Sequence, residues 1–91
     1  MLHIIKSVSA LSDAVRLCQQ HDELLLIEEA VYAAVAQHSA FHQLQGLSVS
    51  ALENDLQARG IHQRISPSIT VVDYAGFVEL TVKQAKSLTW D

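Results

Sequence analysis

The chain alternates short apolar runs with segments whose apolar residues recur at helical spacing. Leu2–Ile5 reads as a first strand and Lys6–Ser9 as a short loop. From about Ala10 to Gln20, Leu11, Ala14, Val15 and Cys18 fall at i, i+3, i+4 and i+7, the stripe of a helix. Ser9 or Ser12 is placed to cap it, and His21-Asp22 closes it. Glu23–Glu28 holds Leu24-Leu25-Leu26-Ile27, apolar on both faces, as in a strand covered by helices on both sides. Glu29–Gln37 predicts a short alanine-rich helix, His38–Gly46 a loop or frayed turn, and Leu47–Val49 a third strand. Ser50-Ala51-Leu52-Glu53 has the form of a capping box for a helix over about Ala51–Arg59. Gly60 sits where a helix C-terminus favours a left-handed residue.

Ser66-Pro67-Ser68 predicts a turn, after which Ile69–Leu80 (ITVVDYAGFVEL) organises the last third of the chain. Ile69–Val72 is a β-branched strand. Asp73 marks the turn, and a helix begins at Tyr74 with Phe77, Val78 and Leu80 among its apolar positions. The order β-α-β-α-β-α-β-α with short connections implies right-handed crossovers. The expected fold is therefore α/β: a small open parallel sheet of about four strands with helices on both faces, a Rossmann-like three-layer arrangement in one domain, 1–91. No repeat, low-complexity tract or linker interrupts it.

Composition adds a second expectation. Of 91 residues, 49% are hydrophobic and only 18% charged. A chain this short buries roughly 60–65% of its unfolded surface, so apolar surface left outside marks an interface. The net charge of −4 and six scattered basic residues argue against direct nucleic-acid binding. The single cysteine excludes an internal disulfide and fits a reducing compartment. The N-terminus lacks the pattern of a signal peptide, and the longest apolar run, Leu24–Ile27, is too short to span a membrane. A soluble, cytoplasmic protein is expected.

Candidate chemistry is sparse. Cys18 is the only possible thiol nucleophile, but it lies near a helix C-terminus on the apolar stripe, where the helix dipole disfavours a thiolate. It reads as a small packing residue. His38 and His42 (i, i+4) with Cys18 and His21 (i, i+3) could supply four metal ligands, yet a strand and a helix should separate the two pairs, so no metal is expected. Glu53 and Asp55 are two apart on a helix and do not share a face. Glu28-Glu29 and Asp73 follow strands and so lie at the carboxyl edge of the sheet, where open α/β folds place function. Asp73 also suits the N-cap of the last helix. The three glycines lie far apart, so there is no phosphate loop, and no GxSxG, CxxC or HExxH occurs. No cofactor is expected.

The segments MLHII, ELLLIEEAVYAAV, LENDLQARGI and ITVVDYAGFVELTVK, with the near-terminal Trp90, together resemble the TusB/DsrH subunit type of the DsrE/DsrF/DsrH sulfur-relay family. The resemblance spans nearly the whole chain. It implies a subunit of a heterohexamer with two copies each of TusB-, TusC- and TusD-like chains, passing persulfide sulfur toward 2-thiolation of the wobble uridine (mnm5s2U) in tRNA. In that family the essential thiol belongs to the TusD-type partner. Some DsrH members carry a cysteine in the first helix, about one turn before the position of Cys18, so Cys18 does not match it.

Three functional readings follow. The first is a non-catalytic relay subunit, with Glu28, Asp73, Tyr74, Phe77 and Trp90 as interface candidates. A DsrH-like role in sulfur oxidation would use the same subunit type. The second is a sulfurtransferase carrying persulfide on Cys18. The third is a homodimeric ligand-binding module built on the Glu28/Asp73 edge, the isolated chain then being a homo-oligomer. Phe77 is either core or interface, since an apolar helical stripe looks the same in both cases.

Overall fold

The computed structural model describes residues 1–91. Its strands are β1 (Leu2–Ile5), β2 (Glu23–Leu26), β3 (Ser48–Leu52), β4 (Thr70–Val72) and β5 (Ser87–Trp90). Its helices are α1 (Leu11–Leu17), α2 (Glu53–Ala58) and α3 (Tyr74–Lys83), with two 3₁₀ segments, Glu28–Ala34 and Phe41–Leu44, between β2 and β3. All five strands are parallel, in the order β4-β3-β2-β1-β5. The open parallel sheet with helices on both faces is as expected, but it has a fifth strand. Ser87–Trp90 pairs with β1, in register from Leu2↔Ser87 to Ile5↔Trp90. Only Leu88 and Trp90 are large and apolar there, a pattern too short to declare a strand.

The strand order decides how the faces are covered. β1 to β4 step across the sheet in one direction, so right-handed crossovers put α1, the 3₁₀ segments and α2 on one face. The return from β4 to β5 puts α3 alone on the other. The first face holds a cluster of 17 buried residues, including Ile5, Leu11, Leu24, Leu26, Val31, Val49 and Leu56. The second holds three, Leu2, Ile4 and Leu25, with Ile27, Val72, Phe77 and Leu80 packed on them. Leu24–Leu26 serve both layers, which accounts for a strand without polar alternation.

Several boundaries differ from expectation. α1 stops at Leu17, leaving Cys18 as an extended C-cap. Neither Ser9 nor Ser12 caps it; Ser7 Oγ accepts the Ala10 N–H at 3.2 Å instead. The alanine-rich segment is 3₁₀ rather than α. Its buried residues are Ala30, Val31, Ala33 and Ala34, two i, i+3 pairs, the spacing that eclipses in a 3₁₀ turn. The loop 38–46 contains the second 3₁₀ segment, which buries Leu44. β3 runs on through Leu52, so Ser50 lies inside a strand and the capping box does not form; α2 starts at Glu53 without a side-chain cap. At the other end Gly60 has φ +67 as expected. Its N–H donates to Gln57 O and that of Ile61 to Leu56 O, both at 3.0 Å, a Schellman closure with Ile61 and Leu56 buried together.

Candidate functional site

At the carboxyl edge, Glu28 follows β2 with φ +51, the one non-glycine residue in left-handed geometry. The turn is held by carboxylates: the Glu28 N–H donates to Asp55 Oδ2 at 2.7 Å, and the Val8 N–H donates to Glu29 Oε1 at 2.6 Å. Lys6 bridges Asp91 at 3.3 Å and Glu28 at 3.8 Å, and the Asp91 hydrogen bond and charge, then Glu28, raise its pKa. Glu29 thus occupies an amide of the β1–α1 loop. Asp73 accepts the Gly76 N–H at 2.9 Å and caps α3. β3 stands between the strands that precede Glu28 and Asp73, a separation of about 10 Å. The two carboxylates do not converge on one pocket.

A second cluster lies at the start of β1. His3 is 1% exposed. Its Nδ1 faces Trp90 Nε1 at 3.1 Å and its Nε2 faces Asp22 Oδ2 at 3.0 Å. An indole N–H only donates, so Nδ1 must carry the lone pair and Nε2 the proton, which it donates to Asp22. Asp22 also accepts from the Gln19 N–H at 3.0 Å and the Met1 ammonium at 3.0 Å. The Gln19 amide first, then His3 and the Met1 ammonium, hold its carboxyl far below the usual carboxylate range.

Cys18 lies at the rim of this cluster: its Sγ and ligand atoms of His3 and Asp22 are within 4.8 Å of one another. Burial, and then the negative charge of Asp22, push its thiol pKa up. Both ring nitrogens of His3 are engaged, so its imidazole is not free to take the thiol proton. The same chemistry opposes a metal here. Ligation through Nε2 moves the ring proton to Nδ1, which would then point at the Trp90 N–H, donor against donor. His21, His38 and His42 take no part in this cluster; His38 Nδ1 accepts the Ala40 N–H and His42 Nδ1 bonds Ser39 O.

The third feature is the outer surface of α3. Phe77 and Leu80 turn inward and are half-buried. Tyr74, Val78 and Val82 turn outward and are 60%, 60% and 79% exposed. Spaced four apart, they form one apolar stripe, flanked by Ala75 and Thr81. A solvent-facing helix surface ordinarily carries charge; the exposed charged residues of α3, Glu79 and Lys83, lie to one side of this stripe. Of the interface candidates, Tyr74 lies on this stripe, Phe77 beneath it, Asp73 at its N-terminal end, Glu28 at the carboxyl edge, and Trp90 on the opposite face of the sheet, half-buried against the main core.

In the sequence Asp22 reads only as a helix-closing residue in an acidic pair with Glu23, and His3 only as part of the first strand. The signal available was a lone polar residue in the otherwise apolar run LHII, beside a chain end carrying a donor-only indole.

Comparison with known proteins places the chain. The family described as "DsrH like protein" matches residues 6–87. Protein TusB of Escherichia coli O1:K1 / APEC is 40% identical over 95 aligned positions, covering 99% of this chain and 100% of that protein. Protein TusB of Sodalis glossinidius is 38% identical over 82 positions, covering 88% and 86%. Among solved structures, the ychN protein of E. coli superposes with a TM-score of 0.73 at 18% identity, covering 97% of both chains. A protein of unknown function from Methanobacterium thermoautotrophicum gives 0.68 at 14% identity, covering 97% of this chain and 95% of that one. The structural likenesses show the fold; the sequence matches over nearly the full length show that the chain belongs to the TusB/DsrH family.

Proposed function

We propose that this chain is a non-catalytic subunit of a TusBCD-type sulfur-relay complex, acting in the cytoplasm to support 2-thiolation of the wobble uridine in tRNA. In this reading it joins TusC-like and TusD-like chains in a heterohexamer with two copies of each. The observation that carries it is the apolar stripe on the outer face of α3, with Tyr74, Val78 and Val82 exposed on a helix that buries no residue fully. A face of this kind is stabilised by a partner's apolar surface. The surroundings of Cys18 support a passive role, since burial and the charge of Asp22 raise its thiol pKa and both ring nitrogens of the nearby His3 are engaged.

The test is co-purification with TusC-like and TusD-like partners, read with thiolated tRNA in cells carrying each variant. Val78→Glu should abolish assembly and thiolation while leaving the isolated chain folded. Cys18→Ser should leave both intact. Normal assembly by Val78→Glu would sink the docking face, and loss of thiolation in Cys18→Ser with assembly preserved would favour a persulfide on Cys18. Normal tRNA thiolation in a strain lacking the chain would point to the sulfur-oxidation pathway instead.

A further inference from the structure

The space beneath α3 is only partly filled. α3 approaches β4 most closely at Gly76, where an added Cβ would come 2.9 Å from Val72 Cβ. From that contact a cleft of about 300 Å³ extends along the helix to Lys83. Its floor is the side of the sheet facing α3. There Glu23 lies in register with Ser48, and Ser50 with Thr70, so one carboxylate and three hydroxyls point the same way. Glu79 and Lys83 form the wall on the helix.

Glu23 is half-partnered. Its Oε1 accepts from Lys83 Nζ at 2.9 Å, while its Oε2 is sealed from solvent and has no hydrogen-bond partner. A carboxylate oxygen in that position lacks a donor. Glu23, Glu79 and Lys83 together leave one negative charge over, so the missing donor should be a cation. Lys83 is 67% exposed and makes one ion pair, to Glu23; its long exposed side chain loses rotamer freedom in holding that pair and can turn into solvent. A planar group with parallel N–H donors would then take Oε1 and, by displacing the cover over the sealed Oε2, that oxygen as well, which an ammonium does not do. Its remaining donors would meet the hydroxyls of Ser48, Ser50 and Thr70.

We propose that this cleft binds a guanidinium group, with Lys83 as the placeholder it displaces. The group can come from a small guanidine compound or from an arginine side chain of a protein. The proposal needs no partner subunit, so it stands or falls apart from the relay function.

The experiment is an NMR titration of the ¹⁵N-labelled full chain with methylguanidinium, with N-acetyl-arginine amide and, as control, with methylammonium. Saturable shifts are expected at the amides of Glu23, Ser48, Ser50 and Thr70 with both guanidinium probes, at least about tenfold weaker with methylammonium. Glu23→Gln should weaken binding about tenfold or more, and the exposed Glu79→Gln about two- to threefold, should Glu23→Gln fail to fold. Lys83→Gln should tighten it, because the competitor is gone. Capped arginine binding as well as methylguanidinium identifies a protein side chain as the natural occupant; methylguanidinium binding about tenfold tighter identifies a small molecule. Absence of saturable shifts, equal binding of methylammonium, indifference to both glutamate variants, or weaker binding in Lys83→Gln would each overturn the proposal.

Discussion

Replacing Phe77 by alanine tests the layer under α3. The ring packs on Leu2, Ile4 and Leu25 beside Leu80, but it is half-buried rather than sealed. A fully buried Phe→Ala change costs about 3–5 kcal/mol. Here part of the ring already meets solvent and the space left would open to water instead of forming a closed cavity. About 2 kcal/mol is therefore expected, or roughly a 10 °C fall in Tm for a chain of this size. Urea unfolding followed by circular dichroism gives the free energy, and light scattering of the mixture with partner subunits gives assembly. Phe77→Ala should lose stability yet still assemble below its lowered Tm. Val78→Glu, one position along the same helix, should do the reverse. A Phe77→Ala protein of unchanged stability that fails to assemble would put the ring in the interface and refute the assignment of inner and outer faces. A loss above about 4 kcal/mol would mean that the α3 layer is as tightly closed as a full core.

Three further outcomes follow from the His3 cluster. Trp90→Phe keeps most of the ring but leaves His3 Nδ1 buried without a donor, and should cost about 1–3 kcal/mol in chemical unfolding; a neutral result would remove the tautomer argument. Asp22 has a folded pKa below its unfolded value, so its contribution is fully present above about pH 4 and is lost as pH falls from there through the folded value. Asp22→Asn should therefore flatten the acid limb of a stability-against-pH curve, and an unchanged slope would contradict it. Cys18, its thiol pKa raised by burial and by Asp22, should react with a disulfide reagent at neutral pH about tenfold more slowly in the native than in the urea-unfolded chain; equal rates would show an open, activated thiol.

Much of this architecture is legible in the residues, for identifiable reasons. Parallel strands buried on both faces are apolar throughout, so Leu24–Ile27 declare themselves. Asp73 as a cap and Gly60 as a left-handed C′ residue follow from local backbone chemistry. The misses come from tertiary pairing. Ser50 has the sequence context of a cap, but hydrogen bonding to β2 and β4 keeps the backbone extended through Leu52. Ser87–Trp90 is a strand because β1 offers it an open edge, which its own composition does not reveal. The His3–Asp22–Trp90 cluster joins residues of β1, β5 and the turn before β2. Each has an ordinary local explanation, and only the fold brings their hydrogen-bonding groups together. For the α3 stripe, apolar spacing was visible, but the face that points outward is set by the crossover direction.

The unequal covering of the two faces has a dynamic consequence. One layer is anchored by a large buried cluster, the other by three residues beneath a helix that buries none of its own completely. Opening α3 alone exposes little apolar surface compared with global unfolding, so its amides should exchange with solvent through a separate, lower-energy event than those of β1 and β2. A partner held on Tyr74, Val78 and Val82 would close that path by mass action. The helix that presents the apolar stripe would then reach its full protection from exchange only with such a partner bound.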